Sequence, residues 1–201
     1  MKDKSKKELD SLYHLWFDTK TSDLLKGWPI NQRDNNYYIN EIYEKLVFSL
    51  TLPENGKILV LGTHNCVSFD KLCKHFGYDR CIGFDLFNPK NHPCVIIKDC
   101  ELLDANDDFE IAFCHNDMGS FWKTPELKLH CQKWALKNVV KGGYFLGNNN
   151  YNRPRIELEK RMEKFGFRNY QLLEQNSKLD DPLSLPNDIL KGYMVSRRIN
   201  H

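Results

Sequence analysis

The chain alternates short apolar runs with stretches in which apolar residues recur at helical spacing. The apolar runs are Lys57 to Gly62, Cys81 to Asp85, Cys94 to Ile97, Phe109 to Cys114 and Tyr144 to Leu146. Consecutive apolar positions favour strands that are buried on both faces. Helical spacing is found at Phe69 to Phe76, Leu127 to Val140 and Arg155 to Phe165, and Gly142 with Gly143 is expected to end the second of these helices. Alternating strands and helices predict βαβ units and a mostly parallel sheet.

The end of the chain has a different pattern. Two further strands are predicted at Tyr170 to Leu173 and Tyr193 to Val195. Between them the sequence is polar and contains Asp180-Asp181-Pro182, which is poor helix material. A parallel connection needs a long crossover, usually a helix, so we expect the last strand to pair antiparallel.

The first 50 residues are predicted to be helical. Ile39, Ile42, Tyr43 and Leu46 recur at helical spacing, with Asp34 as the expected N-cap. The turn residues 53–56 then separate this segment from the strand-rich part. We therefore expect a single domain of 201 residues, with an N-terminal helical lid or extension over 1–52 and a core over 53–201.

Charge and hydropathy exclude some classes of protein. Lys+Arg 29 against Asp+Glu 27 leaves a net charge of +2, which argues against a nucleic-acid coat protein or a polybasic membrane binder. No apolar run has membrane-spanning length, and the basic start has no apolar stretch after it, unlike a signal peptide. We therefore expect a cytoplasmic protein, and this charge remains compatible with a nucleic acid only as a transient substrate.

The cysteine pattern indicates free thiols. The seven cysteines are Cys66, Cys73, Cys81, Cys94, Cys100, Cys114 and Cys131. No CxxC pair occurs, so neither a zinc ribbon nor a thioredoxin-like site is predicted, and no metal ligand is assigned. Thiols inside apolar runs are expected to pack as small hydrophobes in a reducing compartment.

Candidate binding residues follow the predicted strands. In an open α/β sheet, ligands bind beyond the carboxyl ends of the strands. Asp85 ends the second strand and can accept hydrogen bonds from both ribose hydroxyls of a nucleoside. Asp99 follows the third strand and can accept from an adenine amine. The alternative is that each carboxylate belongs to a turn or caps a helix.

The serial order of these segments resembles the class I S-adenosylmethionine-dependent methyltransferases. The segments are ILVLG, CIGFD, VIIKDCELL, FEIAFCHND, LKNVVKGGYFLG and MEKFGFRNYQLLE, within about residues 55–198. The resemblance implies a Rossmann-like fold with a seven-stranded, mostly parallel sheet, a reversed last strand and helices on both faces. It implies S-adenosylmethionine as the cofactor, which leaves as S-adenosylhomocysteine. The implied cofactor-binding residues are Gly62, Thr63, His64, Asp85, Leu86, Asp99, Cys100 and His115.

The glycine-rich turn departs from that family's pattern. Where the family usually has three glycines at alternate positions, this chain has Gly62, His64 and Cys66. The later glycines allow the backbone to approach the cofactor closely. The altered turn therefore supports a second interpretation, a catalytically inactive binding or scaffold protein with this fold.

The resemblance also indicates where the reaction takes place. His115 and Asp117 are expected just past the fourth strand, near the transferred methyl, with His115 as the candidate base. Asp117 with Asn148 or Asn149 could instead hold a divalent cation for O-methylation, although a second acidic ligand is missing. We expect metal-free O-methylation of a small molecule. A nicotinamide oxidoreductase is disfavoured because its sixth strand should be parallel.

Overall fold

The structure is a computed structural model that describes residues 5–10, 39–40, 42–88, 90–103, 108–116, 125–148, 167–172 and 193–198. Its strands are β1 Lys57–Leu61, β2 Cys81–Asp85, β3 Val95–Ile97, β4 Ile111–Asn116, β5 Val139–Asn148, β6 Phe167–Leu172 and β7 Tyr193–Arg198. Its main helices are α1 Val67–Phe76 and α2 Pro125–Asn138, with short 3-10 helices at Val47–Ser49 and Cys100–Leu102.

One sheet contains these strands in the order β3-β2-β1-β4-β5-β7-β6. The pairs β1–β2, β1–β4, β2–β3 and β4–β5 are parallel. Strand β7 pairs antiparallel with both β5 and β6. The mostly parallel sheet with a reversed last strand is therefore confirmed, and the topology gives no support to a nicotinamide-binding domain.

Successive residues of β1 enter two different hydrophobic clusters. Ile58 and Val60 pack on the side of α1, with Phe69 and Leu72. Leu59 and Leu61 pack on the opposite side in a cluster that contains Trp134, Ala135 and Leu136 of α2. Because side chains alternate across a strand, a continuously apolar β1 requires cover on both faces. Helices α1 and α2 supply that cover.

The N-terminal segment packs on the α1 side of the sheet. Residues 39–40 and 42–45 are helical and lead into the 3-10 helix. Ile39, Ile42, Tyr43 and Val47 are buried in the α1-side cluster. Most of the predicted lid, residues 1–52, lies outside the described residues, as do Asp34 and the predicted helix at 155–165.

Several predicted boundaries were wrong. Strand β4 continues past Cys114 to Asn116, and β6 begins at Phe167 rather than at Tyr170. Helix α2 ends at Asn138, so Gly142 and Gly143 do not end it but lie within β5. There, residues 140–143 lie opposite Ala112 alone, because Ile111 pairs with Val139 and Phe113 with Tyr144.

The two glycines make this irregularity sterically feasible. Gly142 has φ +81°, which an L residue rarely adopts. A Cβ at Gly143 would lie only 2.8 Å from the Ala112 carbonyl oxygen. The pair thus forms a bulge within β5 rather than a helix terminus. In the part of the chain that is described, no helix has the length and apolar character needed to cross a membrane.

Candidate functional site

The sheet order creates a switch point between β1 and β4. Strand β1 leads outward through β2 to β3 in one direction, and β4 leads to β5 in the other. At the carboxyl edge, Leu61 pairs with Asn116, which pairs in turn with Gly147. Such a switch point opens a crevice in which α/β proteins bind ligands.

The loop after β1 has a left-handed backbone at three alternate positions. Gly62 has φ +85°, His64 +50° and Cys66 +64°. These are the positions at which the sequence departs from the three-glycine pattern. The conformation expected of glycines is therefore retained, although two of the residues carry side chains. A left-handed non-glycine residue costs about 1–2 kcal/mol, so the surrounding structure must hold this loop in place.

Asp85 provides part of that support from the end of β2. Its Oδ2 accepts the His64 N–H at 2.8 Å and the Thr63 hydroxyl at 3.3 Å. Its Oδ1 accepts the Phe87 N–H at 3.2 Å. The carboxylate is buried, with the residue 8% exposed. Since a carboxylate offers about four acceptor positions, Asp85 can hold the loop and retain capacity for a ligand hydroxyl.

A close approach of β2 to the same loop depends on Gly83. A Cβ at Gly83 would lie 2.4 Å from the Thr63 Cγ2 and 3.1 Å from the Phe69 ring. Glycine at this position therefore allows Thr63 to lie directly over β2. From there the Thr63 hydroxyl reaches Asp85.

The two substituted positions of the loop differ in exposure. The Cys66 side chain is buried, and its thiol lies 3.9 Å from both the Thr63 hydroxyl and the His64 carbonyl oxygen. Burial raises the pKa of the Cys66 thiol, so it is not an activated nucleophile. His64 is half-buried. Of the two added side chains, only that of His64 reaches the surface of the loop to an appreciable extent.

The residues after β3 follow the strand that pairs with β2, and so lie next to the end of β2 in the sheet order. Lys98 donates its N–H to the Asp85 carbonyl oxygen at 2.8 Å, and the Asp99 carbonyl accepts the Leu102 N–H at 2.9 Å. Asp99 and Leu86 are half-buried. The side chain of Cys100, however, is buried in the α2-side cluster. Only the backbone of Cys100 remains as a candidate contact for a ligand.

His115 is not in the loop after β4, where the sequence pattern had placed it. It is the fifth residue of β4 and is completely buried. Its Nδ1 lies 2.6 Å from the Tyr43 hydroxyl, and the two rings meet edge to face with their centroids 5.5 Å apart. Sequence reasoning assigned Tyr43 only to a helix face, since no local signal reveals a contact across 72 positions.

Of the remaining predicted residues, the structure describes only the backbone of Asn148. Asp117 and Asn149 lie outside the described residues. The backbone of Asn148 ends β5, where it pairs with Tyr193, but its side chain is outside the described part. The described site therefore consists of the loop 62–66, Asp85, the stretch after β3 and the end of β4.

Comparison with solved structures identifies the architecture. A TehB-like S-adenosylmethionine-dependent methyltransferase from Corynebacterium glutamicum has a TM-score of 0.56 at 16% identity, over 85% of this chain and 95% of the other. The Burkholderia thailandensis 1,6-didemethyltoxoflavin-N1-methyltransferase, with bound S-adenosylhomocysteine, gives 0.56 at 11% identity, over 100% and 93% of the two chains. The chain has the class I methyltransferase fold.

A third similar structure comes from an assembly. A chain in the complex between the Haloferax volcanii Trm112 methyltransferase activator and a methyltransferase gives a TM-score of 0.54 at 13% identity, over 85% of this chain and 95% of the other. No family model and no curated protein matches the sequence. The likeness to known proteins therefore lies in the fold, and evidence for the function comes from the residues of the site.

Proposed function

We propose that this protein is an S-adenosylmethionine-dependent methyltransferase that acts on a small molecule, with oxygen as the first acceptor atom to test. The observation that carries the proposal is the contact of Asp85 with the left-handed loop 62–66 at the switch point of the sheet. Of the three left-handed positions only His64 and Cys66 are strained, and backbone strain of this kind clusters at functional sites.

The chemistry of the donor set fits the nucleoside part of this cofactor. Asp85 would use its remaining acceptor position for a ribose hydroxyl, and Asp99 would accept a hydrogen bond from the adenine amine. The backbone of Gly62, Thr63 and His64, together with Leu86 and the Cys100 backbone, would hold the rest of the molecule. The buried Cys66 thiol is held by Thr63 and the loop backbone, which leaves His64 as the added side chain to accommodate.

When bound, S-adenosylmethionine supplies an electrophilic methyl group on a sulfonium. The chain then needs to position the acceptor in line and to remove its proton. The resemblance implies His115 and Asp117 for this step, and since His115 is completely buried against Tyr43, Asp117 is the candidate to test first for proton removal. His115, completely buried and held by Tyr43, sets the position of the end of β4. A divalent cation on Asp117 and Asn148 or Asn149 is the alternative for this step.

The altered loop favours a second candidate function, binding without catalysis. His64 and Cys66 add side chains where the resembled family has hydrogen atoms. In this alternative, the imidazole of His64 occupies part of the volume that a cofactor needs. The alternative explains the loop contacts of Asp85, but it leaves the remaining acceptor position of this buried carboxylate without a use.

Calorimetric titration tests the proposal. We expect S-adenosylmethionine and S-adenosylhomocysteine to bind with Kd on the order of micromolar, and NADH not to bind. Binding would justify a screen of hydroxyl acceptors, with amines as the second set because one structure of this fold is an N1-methyltransferase. If none of the three molecules binds, the non-catalytic alternative replaces the proposal.

A further inference from the structure

A second group of polar side chains lies away from the candidate site. Cys73 is in α1, Cys94 directly precedes β3, and His92 lies two residues before Cys94. One ligand atom from each of the three, two thiol sulfurs and an imidazole nitrogen, lies within 4.8 Å of the others. Cys73 and His92 are buried and Cys94 is half-buried. These are the ligand types that soft or borderline cations such as Zn²⁺ prefer.

A third thiol adjoins this group. Cys81, the first residue of β2, is buried in the same hydrophobic cluster as Cys73, and Cys94 packs against that cluster. Contact with the Cys81 thiol, together with burial, raises the pKa of Cys73, which also interacts with Cys94. Cys81 therefore adjoins the group of three potential ligands on the side of Cys73, where α1 and the start of β2 meet.

The imidazole of His92 is held between the Cys94 backbone and the Asp70 carboxylate. Its Nδ1 accepts the Cys94 N–H at 3.2 Å, so the proton of the neutral ring is on Nε2. Nε2 lies 3.5 Å from Oδ1 of Asp70. Metal-binding histidines typically ligate through one nitrogen and direct the other N–H at a carboxylate. For Nδ1 to bind a cation, the hydrogen bond from the Cys94 N–H would have to break, and that N–H would turn to another acceptor or to solvent.

Asp70 is fixed by groups other than His92. It accepts the Tyr78 hydroxyl at 2.7 Å and pairs with Lys74 at 2.6 Å. The Tyr78 ring in turn stacks on His92, with the centroids 6.0 Å apart. The carboxylate that faces the imidazole is therefore held in position, as an outer-shell partner of a metal site must be.

We propose that Cys73, Cys81, His92 and Cys94 form a structural zinc site. Three thiolates and one imidazole give a closed tetrahedral set. Tetrahedral zinc ligands lie about 3.5–4 Å from each other at ordinary bond lengths. The ligand atoms of Cys73, His92 and Cys94, now within 4.8 Å, approach by about 1 Å, and the Cys81 thiol, which lies outside that group, moves further. Binding forms three Zn–S bonds and one Zn–N bond, and releases the three thiol protons to solvent without any oxidation.

The site lies at the opposite end of β2 from the candidate cofactor site. Cys81 begins the strand and Asp85 ends it. A metal here joins α1 to β2 and to the β2–β3 connection, and so stabilises the part of the sheet that carries Asp85. It contributes folding free energy rather than chemistry. This inference stands independently of the proposed methyl transfer.

Metal content of the intact protein is the first test. We expect protein purified without chelator to carry one zinc per chain by elemental analysis. After removal of the zinc, added Co²⁺ is expected to give the thiolate charge-transfer band and the intense visible bands of a tetrahedral site. Absence of bound metal, with no cobalt bands and all seven thiols free to titrate in denaturant, would overturn the proposal. Loss of two mass units, which indicates a disulfide in the cluster, would overturn it as well.

Matched variants locate the ligands. Cys94→Ser and His92→Asn are expected to lose the zinc and the cobalt bands. Cys131→Ser is the control, since it makes the same change at a buried thiol in the α2-side cluster. Cys81→Ser should still bind cobalt, but with a changed spectrum or affinity. An unchanged spectrum would contradict the role of Cys81 as the fourth ligand. Equal metal loss in the control would contradict the assignment.

One variant tests the outer contact without touching a ligand. Asp70→Asn is expected to weaken zinc binding about tenfold, at the lower end of the usual range because the Asp70 side chain is 32% exposed. Competition with a chromogenic chelator measures this change even when the ligand variants fold poorly. Asp108→Asn, at a carboxylate 86% exposed, is the control. Equal affinity of the two variants would contradict the role of Asp70.

Discussion

The Tyr43 hydroxyl lies 2.6 Å from Nδ1 of His115, and both side chains are completely buried. The contact joins the N-terminal segment to the central strand β4, at the edge where the candidate cofactor site lies. Removal of either side chain would leave the other polar group buried without this partner, which lowers the free energy of unfolding. The end of β4 is therefore positioned by a residue outside the strand-rich core.

Tyr43→Phe tests this link. The change retains the ring and removes the hydroxyl, which leaves Nδ1 of His115 without this partner. We expect a loss of about 1–3 kcal/mol in the free energy of unfolding, measured with a chemical denaturant. A double-mutant cycle with His115→Leu provides the control, because Tyr43→Phe should cost less once the imidazole is absent. An equal cost in both backgrounds would show that the pair is not coupled.

His64→Gly with Cys66→Gly tests the loop after β1. Glycine removes the left-handed strain at φ +50° and +64° but increases the entropy of the unfolded chain. These effects oppose each other, so we expect the stability to change by no more than about 1 kcal/mol. Binding of S-adenosylhomocysteine should become tighter, because the His64 side chain no longer borders the site.

Asn91→Gly is the matched control for that double variant. Asn91 also has a left-handed backbone, with φ +50°, but it belongs to the β2–β3 connection. The control should leave ligand affinity unchanged by calorimetry. If the double variant binds no more tightly than the original protein, His64 does not restrict the site.

The sequence predicted the sheet better than the ends of its strands. Consecutive apolar residues such as Ile58 to Leu61 signal burial on both faces, and that signal depends little on the rest of the chain. The β5 bulge was not predictable, because Gly142 and Gly143 equally suit a helix end or a strand irregularity. Only the approach of Gly143 to the Ala112 carbonyl distinguishes them.

For the candidate site, the sequence likewise predicted the position of a residue but not its contacts. Asp85 was found because parallel strands bring their carboxyl ends to one edge. Its bonds to Thr63 and His64 depend on a loop that is left-handed at positions 64 and 66, where the sequence has no glycine to indicate that conformation. The cluster around Cys73 was missed because its residues are separated by eight or more positions, apart from the His92 and Cys94 pair. That short spacing of two ligand types was the available signal.

Gly83→Ala tests the contact between β2 and the loop. The added methyl group would lie 2.4 Å from the Thr63 Cγ2, so Thr63 must move and its bond to Asp85 weakens. We expect a loss of about 1–3 kcal/mol in stability, measured by denaturant unfolding. The double variant with Thr63→Ser should recover part of the loss, since serine keeps the hydroxyl and lacks Cγ2. No recovery would place the strain at Phe69 instead.

Asp85→Ala and Asp85→Asn separate the two roles of that carboxylate. Alanine leaves the His64 and Phe87 N–H groups without their acceptor, so both stability and cofactor binding should fall. Asparagine keeps one acceptor oxygen, so the loop should survive better while the affinity for S-adenosylhomocysteine still falls by about 1–3 kcal/mol, or roughly 5- to 150-fold. Thermal unfolding without ligand and calorimetry with ligand measure the two effects separately. Asp108→Ala, at an exposed carboxylate, should change neither. Unchanged affinity in Asp85→Asn would remove Asp85 from the ribose contact, and the carboxylate would then serve only to hold the loop.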